Sequence, residues 1–383
     1  GFAAGTPLPR ARSLGLQITE LGVRRTRPTE VTSAPMAPDA PWAVPGLDGR
    51  IGIRVACGPH DRLQTPVQLQ LPAAVASKLG GGSLLELTPD QTMQTPVLYQ
   101  VDGDPDGAVR TLAFNVGAPF QAGSERSFLF YFGSGFTPTN TSPHAVRCSA
   151  APGGMTLIRA LVGPEGGHIY RWEVKTAANL DLTQPGETGW AGFADMGRDH
   201  RSSPNKIEVL AAGPALVQLR CTDATGLQKM TTAFAGVPWI DVTLNAGKGW
   251  YWNYDRVETF APEGPTPGIA VFSDGFRTPV RSAKAGFESQ AKRGGVTWSA
   301  KSRQDGLLLA LLTPEVKSRH AVGPGGGMGG TGIEHSVPAA HFVTYGGVVA
   351  EPPEAVLNAL QQTMSLRNQP DTALFGTEQR EDE

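Results

Sequence analysis

Cysteine is scarce and scattered: Cys57, Cys148 and Cys221 are the only three in 383 residues. An odd number at wide spacing excludes a disulfide framework and supplies no CxxC pair for zinc, although one bridge beside one free thiol stays open. Cys221, following LVQLR in a strand pattern, reads as a small buried hydrophobe. No apolar run approaches the roughly 20 residues that a helix needs to span a bilayer. Neither charge sign dominates, with Lys+Arg 33 against Asp+Glu 35. No basic stripe with interleaved aromatics appears, so nucleic acid is not an expected partner, although arginines in a cleft would still meet a polyanion locally. Acyl transfer has no support either: GxSxG is missing, and no cysteine sits beside a recognisable base.

What the chain has in excess is turn formers, Gly 48 and Pro 32, with hydrophobic residues at 40%. That balance describes many short strands joined by turns. From Gly52 the runs IGIRVAC, TPVQLQL, SLLELT, PVLYQVD, VRTLAFNV and SFLFYFG each alternate apolar residues over about six positions. Such spacing predicts an antiparallel β-sandwich over residues 48–140. PAAVASKLGG, opened by Pro72, reads as a short helix. FTPTNTSPHAV, residues 136–146, reads as a linker. A second and more aromatic series, from MTLIRALV to HFVTYGGVV, predicts larger stacked sheets over residues 141–352 with a face open as a cleft. Residues 353–383 read as a closing helix and tail. Pro353 sits in its first turn, Val356, Leu357, Leu360 and Met364 make one stripe, and Pro370 ends it. TEQREDE beyond is expected to be solvated. Residues 1–47, rich in Pro, Thr and Arg, read as an extended arm. The missing initiator Met gives the expectation of a processed, secreted or periplasmic protein.

Several motifs carry two readings. Gly325, Gly327 and Gly330 satisfy GxGxxG within GPGGGMGG, but the stretch follows the polar VKSRHAV and leads into TGIEHS with no helix start, so a glycine loop over a cleft is the better reading. Asp102, Asp104, Asp106 and Gly107 reproduce the first half of a calcium loop, while Ala113 stands where its twelfth-position acid belongs. A turn explains these acids without Ca²⁺, and no other cofactor is indicated. His335 and His341 flank SVPAA behind Glu334, and an extended backbone would put both imidazoles on one face, for a metal or a general base. The absence of HExxH weighs against the metal. In FADMGRDHRSSPNK, Arg198 or Arg201 suits a carboxylate and His200 a proton transfer, unless the loop is merely solvated. Trp172 in HIYRWEVK borders the same expected cleft.

The densest signal is Trp250-Tyr251-Trp252-Asn253-Tyr254, followed by Asp255. Alternation puts Trp250, Trp252 and Tyr254 on one face and Tyr251 with Asn253 on the other. Rings beside amide and carboxylate groups suit the stacking and hydrogen bonding of sugars. Trp250 and Trp252 serve equally well as core residues between sheets. Asp241, Asp255, Glu258 and Asp274 stand near enough in sequence to supply the paired carboxylates of glycoside hydrolysis.

Two stretches resemble known architectures. PVQLQLP, PVLYQVDGD and AFNVGAPFQAGSERSFLFYFG resemble the β-sandwich modules that precede larger β domains in bacterial polysaccharide-degrading proteins. VLAAGPALVQLRC followed by PWIDVTL resembles galactose-mutarotase-like β-supersandwich domains of polysaccharide lyases and glycoside-processing enzymes. The resemblance implies an all-β protein, a sandwich followed by a supersandwich and a short C-terminal helix, with a polysaccharide or oligosaccharide in a concave cleft. For a lyase it implies Tyr251, Tyr254 or His335 as base, and Asn253 with Arg198 or Arg256 stabilising the enolate. Trp250, Trp252, Trp172, Asp255, His200 and His341 would then bind substrate. The alternatives are a carbohydrate-binding module and a non-enzymatic surface or filament subunit whose N-terminal arm makes a homo-oligomer by completing a neighbour's sheet. Deleting residues 1–47 separates these readings: light scattering should show an assembly subunit failing to polymerise, whereas an enzyme loses only stability.

Overall fold

The computed structural model describes residues 31–32, 42–59, 61–62, 64–77, 81–89, 94–103, 110–117, 120–133, 147–148, 159–160, 169–171, 173–174, 180–181, 191–194, 206–222, 226, 228–245, 249–253, 255, 257–264, 266–282, 284, 290–325, 330–335, 340–364 and 371–379. The chain forms two compact units, Gly1–Thr141 with Leu366–Glu383, and Ser142–Ser365. Both are built of β-sheet, mostly antiparallel, as the strand patterns predict.

The first unit contains β1 (Val31–Thr32), β2 (Gly49–Ala56), β3 (Thr65–Gln70), β4 (Gly81–Leu87), β5 (Gln94–Val97), β6 (Tyr99–Asp102), β7 (Thr111–Val116) and β8 (Glu125–Gly133), with the one-turn helix α1 (Ala73–Ala76) opened by Pro72. Period-two alternation explains its core. Ile51, Ile53 and Val55 from β2 and Phe128, Phe130 and Phe132 from β8 meet Val67, Leu69, Leu112 and Phe114 of the opposing β3-β7-β6 sheet. Phe114 and Phe128 lie 5.0 Å apart, centroid to centroid. The intervening residues of β8 are buried as well, because Leu129 and Tyr131 join Leu47 and Leu85 in a second cluster covered by Trp42 and Val44. A strand covered on both faces reads as a continuous apolar run, as SFLFYF does.

The second unit begins with five short strands, β9 (Arg147–Cys148), β10 (Arg159–Ala160), β11 (Ile169–Arg171), β12 (Glu173–Val174) and β13 (Leu180–Asp181). The rest of its strands are β14 (Ala191–Ala194), β15 (Lys206–Ala212), β16 (Leu216–Thr222), β17 (Gln228–Phe234), β18 (Trp239–Leu244), β19 (Gly249–Asn253), β20 (Ile269–Phe272), β21 (Arg277–Pro279), β22 (Ala291–Val296), β23 (Trp298–Ser302), β24 (Leu307–Leu312), β25 (Ser318–Val322), β26 (Thr331–His335) and β27 (Ala340–Val348). A nine-stranded sheet, β15-β16-β17-β18-β27-β24-β23-β20-β21, faces a five-stranded sheet, β14-β19-β26-β25-β22. Helix α2 (Pro353–Met364) lies on β23 and β24 and buries Val356, Leu357, Leu360, Thr363 and Met364, the expected stripe with one threonine added. Trp298 Nε1 donates to Asn358 Oδ1 at 3.0 Å and fixes the helix to the sheet. With α2 on one face and the smaller sheet on the other, all six residues of LLLALL in β24 are buried.

Two expectations are corrected by strand pairing. The tail is not free: β28 (Asp371–Gln379) returns to the first unit and pairs antiparallel with the whole of β2. The acids and threonines of this segment satisfy the edge of a sheet through backbone bonds, which composition does not reveal. His335 and His341 do not continue one strand. His335 ends β26 in the five-stranded sheet and His341 lies in β27 of the nine-stranded sheet, so the chain changes sheets between them. The linker 136–146 and Asp104, Asp106 and Gly107 of the calcium-like loop lie outside the described residues. Asp102 accepts hydrogen bonds from Gln100 Nε2 at 2.7 and 2.8 Å.

Gly306 closes the β23–β24 hairpin at φ +84°, and a Cβ there would overlap the backbone oxygen of Val349. Backbone cannot yield cheaply, so Gly306→Ala should cost more than ~1 kcal/mol in urea unfolding.

Candidate functional site

Asp241 and His341 come from adjacent strands of the nine-stranded sheet. Asp241 stands opposite Val343, and Thr243 opposite His341, so the two polar side chains are diagonal neighbours on the same face. His341 Nε2 lies 3.1 Å from Asp241 Oδ1, and Nδ1 lies 3.0 Å from Glu315 Oε1, in the turn after β24. The imidazole side chain is 5% exposed, against 16% for Asp241 and 24% for Glu315, so the ring is enclosed and the carboxylates reach solvent. Burial acts most strongly on His341 and pulls its pKa down. The charges of Glu315 and Asp241 and their hydrogen bonds outweigh that and hold it at about 9. At neutral pH the ring is therefore a cation donating from both nitrogens, and it fixes the spacing of two carboxylates. No further hydrogen bond to Asp241 Oδ2 or Glu315 Oε2 is found among the described residues, which leaves one acceptor on each side. The polar row extends along the same face, where Thr232 stands opposite Asp241 and accepts from Gln218 Nε2 at 3.0 Å.

Between the two sheets lies a different set of polar groups. Lys301, in phase with the inward face of β23, places Nζ 2.7 and 2.9 Å from the two oxygens of Asp255. Both side chains are shut off from solvent, at 0% and 1% exposure. Desolvation raises the Asp255 pKa and lowers that of Lys301, and each opposes the shift of the other. Asp255, expected to hold substrate, is thus the counter-ion of a buried lysine. Tyr251 is also internal: its ring stacks on Phe342 of the opposite sheet, with centroids 5.2 Å apart and planes at 17°. Burial pushes its phenol up to about 12 despite a hydrogen bond with Thr344. Tyr251, expected on a working face, is a core residue, and Trp250 beside it is half-buried on the alternate face. His320 is enclosed against Ser299 Oγ, 2.9 Å from Nδ1, and burial pushes its pKa down to about 3.

The backbone of Trp252, Asn253 and His335 is described: Asn253 pairs with Thr331 and with Ala191, and His335 with Gly249. Their side chains, and Tyr254, Arg256, Trp172, Arg198, His200 and Arg201 entirely, lie outside the described residues. Of the expected residues, then, the structure brings His341 to Asp241 and leaves Tyr251 and Asp255 in the core. Glu315 and Lys301 were not anticipated. A lysine sharing the phase of Ser299 in WSAKS, where alternation points inward, was the available sign of the buried pair. Glu315 carried none, since a turn acid in TPEVK looks like any solvated one. Among the described residues no group of His, Cys, Asp and Glu is arranged to hold a metal.

The chain matches no protein-family model and no curated protein. Among solved structures it is similar to an alpha-mannosidase from Enterococcus faecalis V583, at 8% identity and a TM-score of 0.42, over 85% of this chain and 46% of that one. It is also similar to a protein in the glycosyl hydrolase family 38 from Enterococcus faecalis, at 8% identity and a TM-score of 0.41, over 91% and 49%. The chain thus spans about half the length of either. Likeness of that degree says nothing of what this chain binds or does.

The two histidines set opposite pH limbs. His320 refuses a proton that the unfolded chain accepts, so its contribution is lost as pH falls from about 6.5 towards 3. His341 holds its proton up to about 9, so its contribution is complete below about 6.5 and lost as pH rises through 9. That contribution is worth roughly 3 kcal/mol. His341→Gln should flatten the alkaline limb of a stability–pH curve followed by urea unfolding, and leave the acid limb in place. Breaking the internal ion pair by Lys301→Met should cost about 3–5 kcal/mol, with much of the loss restored in Lys301→Met/Asp255→Leu.

Proposed function

We propose that this chain is a carbohydrate-active protein of the glycoside-hydrolase kind, acting on an oligosaccharide or polysaccharide outside the cytoplasm. The observation that carries the reading is the pair Asp241 and Glu315, two carboxylates that reach solvent on either side of one buried imidazolium. Glycoside cleavage needs two carboxyl groups at fixed separation, one to exchange a proton with the glycosidic oxygen and one to activate water or attack the anomeric carbon. The imidazolium supplies the fixed separation, and the remaining oxygens supply contact points for substrate hydroxyls.

For elimination, a base must be able to accept a proton: of the three expected, the phenol of Tyr251 is enclosed, while Tyr254 and the His335 side chain lie outside the described residues. Binding without cleavage is the second reading, and one observation favours it: each carboxylate retains one oxygen, enough to accept a sugar hydroxyl's hydrogen, and a binding module requires nothing more.

Reducing-end release from a panel of neutral and uronate-containing polysaccharides tests these readings. Asp241→Asn and Glu315→Gln should each lower turnover by about 100-fold or more with the fold intact. Saccharide binding without turnover, abolished by the same substitutions, would establish the binding module. Unsaturated product that survives them would overturn the hydrolytic reading.

A further inference from the structure

Lys301 and Asp255 reach each other from the two sheets of the second unit: β23 belongs to the nine-stranded sheet, and Asp255 follows β19 of the five-stranded one. Lys301 Nζ lies 2.7 and 2.9 Å from the two carboxylate oxygens, and so stands opposite Cγ, the carbon that both flank. At 0% and 1% exposure, neither side chain is reached by bulk water. The buried ring of Phe260 closes one side, its centre 5.8 Å from Nζ. Desolvation pushes the lysine pKa down and the aspartate pKa up, so both shifts favour the uncharged amine and the uncharged acid. Proton transfer within the hydrogen bond relieves the cost of holding two charges away from water.

We propose that this ion pair is the precursor of an intramolecular isopeptide bond, in which Lys301 Nζ is joined to Asp255 Cγ and the two sheets are covalently stapled. In the newly folded chain the ammonium passes one proton to the carboxylate, leaving a neutral amine beside a carboxylic acid. Rotation of the carboxyl group about Cβ–Cγ turns its face to the amine. The nitrogen lone pair attacks Cγ, the bond from Cγ to the hydroxyl oxygen breaks, and that hydroxyl leaves with a proton from nitrogen as one molecule of water. Nothing is oxidised or reduced, and no co-reactant is consumed. Reacting groups held this close gain an effective molarity of about 10⁵–10⁸ M over the same groups free in solution. The product exchanges two desolvated charges for one neutral amide, which a dry interior tolerates far better. The bond would link positions 46 residues apart and hold β23 to the chain beyond β19 even when the fold is lost.

The test is mass spectrometry of the full chain, purified, incubated at neutral pH and then denatured. The wild type should be lighter than its sequence by one water, and Lys301→Met and Asp255→Ala should each show their full sequence mass. Digestion of the denatured wild type with trypsin locates the bond without relying on either variant to fold. Acylated Lys301 resists cleavage, so residues 249–256 and 294–303 should appear as one branched peptide. A wild type of full mass that releases residues 294–301 as a separate peptide would overturn the proposal and leave a salt bridge only. A water deficit that persists in Lys301→Met, or that maps to other peptides, would overturn it equally.

Discussion

A lysine enclosed between two sheets sets the terms for the second unit. Lys301 is charged only if something inside the sandwich answers it, and Asp255 does so with both oxygens. The pair ties β23 of the large sheet to the chain just beyond β19 of the small one, and so fixes where the aromatic run ends. Tyr251 stacked on Phe342 and His320 bonded to Ser299 are further ties across the same gap. With these polar groups paired inside, solvent-reaching charge lies on the outward faces, with Asp241 on the large sheet and Arg319 and Glu334 on the small one.

That division between inside and outside sets two similar constellations apart by their exposure. Asp255 and Lys301 are completely dry, so their charges answer only each other. Asp241 and Glu315 share a cation too, but their side chains reach water and each keeps an oxygen outside the contact with His341. Burial, rather than residue type, separates an enclosed ion pair from one whose carboxylates reach solvent in this unit.

Much of the architecture was legible in the sequence. Alternation in GRIGIRVA and TPVQLQ assigns buried faces, and Pro353 with the Val356, Leu357, Leu360 and Met364 stripe marks the closing helix. These signals are local, because period and capping act over a few residues. Pairing across the chain is not local, and there the reading failed: β28 joins β2 through backbone bonds that leave no trace in composition. The same limit governs the site. His341 was singled out as a titratable residue, but its company depended on which strand lay beside β27, and the distance in sequence from Asp241 gives no hint of it. Tyr251 misled because a dense aromatic run suits a sugar platform and a core equally well, and only burial decides between them.

The most direct test of this account is the ionisation of His341 followed by ¹⁵N NMR of the imidazole in the full chain, with and without saccharide. The account predicts that both ring nitrogens are protonated at neutral pH, that they titrate near pH 9, and that saccharide shifts both signals as hydroxyls engage Asp241 and Glu315. Titration near 6.5 with no response to any saccharide would contradict it.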